Sequence, residues 1–233
     1  MIGLPSIFAA LALMQTPAAQ APAGPEPREI LTRALDVYAA AKTYDALWTY
    51  TNVRGNETQE MQIEVKAKAP ARLIFKVSAA RGARKTGQRA VPEMLVVLDG
   101  THAWFENTSE KTHFKVPLPR EPKFTPLMFF PHIPATGDVR RGGDLQDGGK
   151  TYLVLEADRA EGGVTRMEID AATHRVRRIV VDNVVAFIRQ ISTITVVRES
   201  FDADIPDKAF AYRPPRGSKE VAAPAGAGAM FGQ

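Results

Sequence analysis

His102, His113, His132 and His174 are the four histidines of the 233-residue chain. Only His102 and His113 stand close enough in sequence to meet, across a turn at Asn107 to Glu110. A zinc site needs three or four ligands at recurring spacings, and HExxH is absent, so ordinary surface or sheet histidines are expected and no metal. There is no cysteine, which excludes disulfides, thiol catalysis, thiolate metal sites and the lipid-modified cysteine of a bacterial lipoprotein. No G-x-S-x-G elbow, P-loop or Gly-rich dinucleotide fingerprint occurs. Gly142-Gly143 and Gly148-Gly149 read as turns. With 26 acidic residues, carboxylate pairs can be picked anywhere and single out none as catalytic. Nothing points to an enzyme, a catalytic residue or a cofactor.

What remains is aromatic surface. In MLVVLDGTHAWFENTSEKTHFKVP, residues 94–117, an apolar strand ends in an Asp99-Gly100 turn. A second strand follows with Trp104 and Phe105, and a third runs through Val116, at the spacing of an antiparallel meander. Trp48, Tyr50, Phe75, Phe114 and the Phe124–Phe130 group complete the large apolar inventory. Each taken alone reads as core. Leu127, Met128, Phe129 and Phe130 differ, because four consecutive apolar residues cannot share one face of a short helix. Bracketed by Pro122, Pro126, Pro131 and Pro134, they either plug the open end of a curved sheet or form a lid over a cavity that a greasy ligand enters. Pro126 fits the first turn of a short helix capped by Thr125.

The elements that must hold these residues follow from periodicity. Ile30, Leu31, Ala34, Leu35, Tyr38 and Ala41 recur at helical spacing and predict an amphipathic helix over 29–41. From Ala46 the period becomes two: Met61, Ile63 and Val65 alternate with polar residues, as do Leu73, Phe75 and Val77. Residues 79–92 read as a long basic loop and 137–150 as a turn-rich connection. Strands are expected at 152–156, 164–169, 176–181 and 188–198, the second and third joined by a turn at 170–174. One helix, many sequential strands and no βαβ alternation predict an α+β, mainly β fold, an antiparallel sheet with a helix packed on it.

The ends carry an address. Ile2 to Met14 is apolar and is followed by small residues, as in a cleaved secretory signal peptide, although no basic residue precedes it. Cleavage fits after Ala18, Ala19 or Ala21. Thirteen apolar residues are short for a membrane span of about 20. Residues 1–21 are therefore read as signal peptide, 22–28 as linker, 29–217 as the domain and 218–233 as a low-complexity, disordered tail. The formal charge of +4 is spread along alternating strands rather than collected in a basic arm, so no nucleic-acid partner is expected.

Taken in order, these features resemble the periplasmic carriers of outer-membrane lipoproteins, the LolA-like superfamily. The resemblance rests on the exported N-terminus, the amphipathic helix, Pro70-Ala71-Arg72 and the Asp99-Gly100 turn into a Trp-bearing strand. Thr125-Pro126-Leu127-Met128 and the closing Phe201 to Gly217 run complete it. It implies a half-barrel whose concave apolar face is covered by the N-terminal helix and short lid helices. Leu73, Phe75, Trp104 and Phe114 would contribute to that face, and Leu127 to Phe130 would form the lid. The implied protein is a monomeric, non-catalytic periplasmic chaperone for lipoprotein acyl chains or another lipid, with partners at the inner and outer membranes. A sensor of the same fold that binds a protein partner is the alternative. The family carries an Arg directly before the strand-ending proline to latch the lid; here that position is Ala69, and Lys68 and Arg72 are the nearest candidates for a polar latch.

Overall fold

The computed structural model describes residues 24–80, 93–118, 138–159 and 162–227. The predicted helix is present as α1, Pro27–Ala39. It starts two residues before the periodicity suggested, because Pro27 has its φ pre-set for a first helical turn and needs no N–H partner there. The linker reading of 22–28 is corrected accordingly at its last two residues. Ile30, Leu31, Ala34 and Tyr38 are its buried stripe.

Thirteen strands follow among the described residues: β1 Thr43–Arg54, β2 Glu57–Lys68, β3 Arg72–Ala79, β4 Met94–Asp99, β5 His102–Asn107 and β6 Thr112–Pro117. Then come β7 Val139–Arg141, β8 Leu145–Asp147, β9 Lys150–Asp158, β10 Val164–Asp170, β11 Val176–Val185, β12 Ile188–Phe201 and β13 Lys219–Glu220. They form one open, curved sheet in the order β13-β6-β5-β4-β3-β2-β1-β12-β11-β10-β9-β7, with β8 also on β9. This is the predicted α+β half-barrel. All neighbours are antiparallel except β13, which runs parallel to β6.

Register decides which side chains face the helix. Directly opposed residues share a face, so one can read rows across the strands. One row is Tyr44, Ala67, Leu73, Leu98, Ala103 and Val116; the next is Ala46, Val65, Phe75, Val96, Phe105 and Phe114. A third begins Trp48, Ile63, Val77 and Met94. On the other side of β1 the same face continues through Tyr50, Ile194, Ile179, Met167 and Leu155. Apart from Met94, which is exposed, these residues and the helix stripe form a single apolar core.

A polar knot sits within that core. The Tyr38 hydroxyl donates to Glu199 Oε2 at 3.2 Å and accepts from the Val176 N–H at 3.0 Å. The Tyr44 hydroxyl donates to the same oxygen at 3.1 Å and accepts from Trp48 Nε1 at 3.3 Å. Helix and sheet are thus tied through one carboxylate. Burial pushes the Glu199 carboxyl above its ordinary value of 4.5, and the two tyrosine donors and Arg175 offset this only in part. The folded protein therefore holds a proton that the unfolded chain releases. Native protons exceed unfolded protons above the unfolded value, so this group makes stability fall as pH rises through that window. Glu199→Gln should be more stable than wild type at pH 8, an advantage that shrinks toward pH 4; urea unfolding at both values reads it. An advantage equal at both would contradict the assignment.

The C-terminal run does not behave as its sequence suggested. After Phe201 it crosses to the convex face, makes a 3₁₀ turn at Asp207–Phe210 and buries Ile205 and Phe210. It then lays Tyr212 against Trp104, with centroids 5.1 Å apart. The tail expected to be disordered from 218 is ordered over its described residues, 218–227. Lys219 N–H donates to Lys111 O and Val221 N–H to His113 O, both at 2.9 Å. An unpaired sheet edge offers a row of backbone donors and acceptors, and pairing with it overrides a low-complexity composition.

Candidate functional site

The inner face of the sheet is not filled evenly. Between β1 and β6, at the end where β2 and β4 begin, it leaves a cavity of about 720 Å³. Tyr50, Met61, Ile63, Val77, Phe105 and Phe114 form its walls among the described residues. Phe105 and Phe114 stack with centroids 4.7 Å apart and planes 12° from parallel. Polar groups gather at the rim: Gln59, Glu93, Asn107, Glu110 and Thr112. The tail supplies Val221, Ala222 and Pro224 to the same rim. The volume falls within the range of small-molecule sites, and apolar walls with peripheral polar groups suit an amphiphile whose head stays near water.

The described lining contains no histidine, serine, lysine or cysteine; its ionisable and hydroxyl side chains are Tyr50, Glu93, Glu106, Glu110 and Thr112. No group of three His, Asp or Glu residues that could hold a metal occurs among the described residues. Glu106 borders the cavity but, opposing His113, turns its side chain to the Trp104 face, where its Oε2 accepts from the Tyr212 hydroxyl at 2.7 Å. Burial pushes that phenol up, and the neighbouring Glu106 carboxylate adds to the effect.

The expected site residues are placed unequally. Phe114 lines the cavity. Leu73 and Phe75 share its face, Leu73 with 3% of its surface exposed in the core, but neither lies in the wall. Leu127, Met128, Phe129 and Phe130 lie outside the described residues.

Trp104 is a correction. It opposes Val97 and Lys115 and so faces the convex side. Its Nε1 donates to Asp99 Oδ2 at 2.8 Å, and Lys115 Nζ stands 5.0 Å from its ring centre. An indole N–H seeks an acceptor, and the turn carboxylate provides one only on that face. Asp99 Oδ1 also accepts from the N–H groups of Thr101 and His102, each at 2.8 Å. Burial alone would raise this carboxyl; the donors outweigh it and hold it at about 2. Gly100 at φ 99° completes the turn, a conformation that costs glycine nothing.

Lys68 and Arg72 likewise have another partner. Lys68 Nζ lies 2.7 Å from Asp207 Oδ1 and donates to Ile205 O at 3.0 Å, while Arg72 stands 3.2 Å from Asp207 Oδ2. Hydrogen bonding from Lys68 and the charge of Arg72 hold the Asp207 carboxyl below its usual range against some desolvation. Lys68, Arg72 and Asp207 form a clasp on the C-terminal crossing; the lid that a latch would hold lies outside the described residues.

Sequence reasoning passed over Phe105, Tyr50, Met61, Ile63 and Val77 as cavity walls. The two-residue turn at 100–101 pairs Leu98 with Ala103 and therefore Val96 with Phe105. That arithmetic was available, but residues 94–98 are apolar throughout, so alternation could not choose the inner face.

No family model matches the chain, and no curated protein matches it by sequence. Solved structures do match. An uncharacterized conserved protein from Thermus thermophilus aligns over 83% of this chain and 97% of its own, at 15% identity and a TM-score of 0.52. The half-barrel is therefore a fold the two chains share. A LolA superfamily protein from Nitrosomonas europaea aligns over 81% of this chain and 99% of its own, at 11% identity and a TM-score of 0.39. The MucA/MucB complex of Pseudomonas aeruginosa aligns over 79% of this chain and 60% of the matched chain, at 13% identity and a TM-score of 0.45.

Proposed function

We propose that the protein is a non-catalytic carrier that holds acyl chains, of a lipoprotein or another lipid, in the cavity between β1 and β6. The observation that carries this reading is the cavity itself, about 720 Å³ walled by Met61, Ile63, Val77, Phe105 and Phe114. Apolar surface left unfilled inside a core forfeits both dispersion contacts and burial, and a chain of methylenes restores them at about 0.8 kcal/mol per CH₂. The resemblance of the Asp99-Gly100 meander and the Phe201 to Gly217 run to the lipoprotein carriers supports the same reading. The apolar stretch from Ile2 to Met14 supports a periplasmic address for such a carrier. No helix among the described residues is long and apolar enough to cross a membrane.

The second reading is a regulatory module of the same fold that binds a protein partner. One observation favours it: the β6 edge already takes up an extended segment, β13, in parallel register, as strand-adding recognition does. Titration with a fluorescent fatty acid separates the two. A saturable rise in emission, displaced by an unlabelled fatty acid or lipopeptide, supports the carrier; a flat response in the folded protein overturns it in favour of the module.

A further inference from the structure

The β11–β12 hairpin ends in a two-residue turn, Ala186-Phe187, closed by the Val185–Ile188 pair. Both turn residues have positive φ, 49° and 65°, as a tight type I′ turn requires, a position where Asn-Gly is the favoured pair. An aromatic residue there is sterically costly, and turn formation gives no reason for it. Phe187 is also fully exposed, with Val184 at 59% and Ile188 at 42% beside it. Three of the six large exposed hydrophobic residues found among the described residues thus gather on one hairpin tip.

The tip has a place relative to the cavity. Ile194 opposes the wall residue Tyr50, and Arg54 opposes Gln190, so the hairpin runs toward the end at which the cavity rim lies. Ile188 stands six residues beyond Ile194, about 20 Å along the strand at 3.3–3.4 Å per residue. The β1–β2 turn accompanies it, with Gly55 N–H donating to Arg189 O. Arg54 and Arg189 are exposed just behind the apolar tip. Glu57 opposes Arg54, and Asp182 pairs with Arg189.

We propose that this tip docks the protein on a lipid bilayer, with Phe187, Val184 and Ile188 entering the interface and the cavity rim turned toward the membrane. A convex ribbon two strands wide suits insertion among acyl chains. It presents far less area than the roughly 800 Å² per partner of a stable protein interface. Glu57 and Asp182 offset Arg54 and Arg189 beside the tip, so insertion rests on its exposed apolar side chains. The inference does not depend on what the cavity holds.

The test is flotation of the chain with vesicles of phosphatidylcholine and phosphatidylglycerol, wild type against Phe187→Asn. Asparagine accepts positive φ, so this variant removes the ring while keeping the turn. Wild type should float and the variant should lose about ten-fold or more in partitioning. Its thermal stability should be no lower and its uptake of a fluorescent fatty acid unchanged. Wild type that stays with the soluble fraction, or a variant that floats equally well, overturns the proposal. Self-association that Phe187→Asn abolishes, without vesicle binding, would make the tip a contact between copies and overturn it too. Failure of fatty-acid uptake alone would leave docking standing and strike only the carrier reading.

Discussion

Phe114→Asp is expected to weaken acyl-chain binding by about 100-fold, because an uncompensated carboxylate in an apolar site must be desolvated or protonated when a chain enters. Phe114 is half-buried and stacked on Phe105, and on the same face of its strand Val116 stays in the core. The substitution therefore strikes the cavity more than the sheet. Phe114→Leu keeps an apolar wall and should stay within about threefold of wild type. Fatty-acid titration with far-UV circular dichroism on the same samples reads both. Wild-type affinity in a folded Phe114→Asp protein would place the ligand elsewhere.

The largest effect on stability is expected at Trp48. It is 1% exposed, opposes Ile63 and Val196, and donates its indole N–H to Tyr44. Trp48→Ala empties the centre of the core beside the Tyr38–Tyr44–Glu199 knot and should cost about 3–5 kcal/mol. Against a total of about 5–15 kcal/mol, that is a large share. At about 2–4 °C per kcal/mol for a domain of this size, thermal unfolding should fall by roughly 10 °C. A loss below about 1 kcal/mol in urea unfolding would mean that the helix and sheet do not pack through Trp48.

Much of the architecture was legible because period-two alternation and turn residues are local. The meander of β4 to β6, the alternation in β2 and β3, and the strands β9 to β12 were all visible in the chain. What was not legible depended on partners distant in sequence. Trp104 and Phe105 are equally apolar neighbours, and the choice between faces came from Asp99 and Tyr212 on the convex side. Residues 218–227 look unstructured by composition, yet the open edge of β6 orders the start of this segment, and the rim and core take up Val221 and Ala227. Lys68 and Arg72 engage Asp207, more than 130 positions away, a partner that no local pattern names. The cavity walls were legible as apolar alternation, but the space between them is a property of sheet curvature that no single strand carries.

The most direct measurement is native mass spectrometry of the protein purified without detergent from an envelope extract. The carrier account predicts a discrete added mass that leaves on denaturation and behaves as lipid. A clean apo mass, together with no uptake of an added acyl-chain probe, would contradict it.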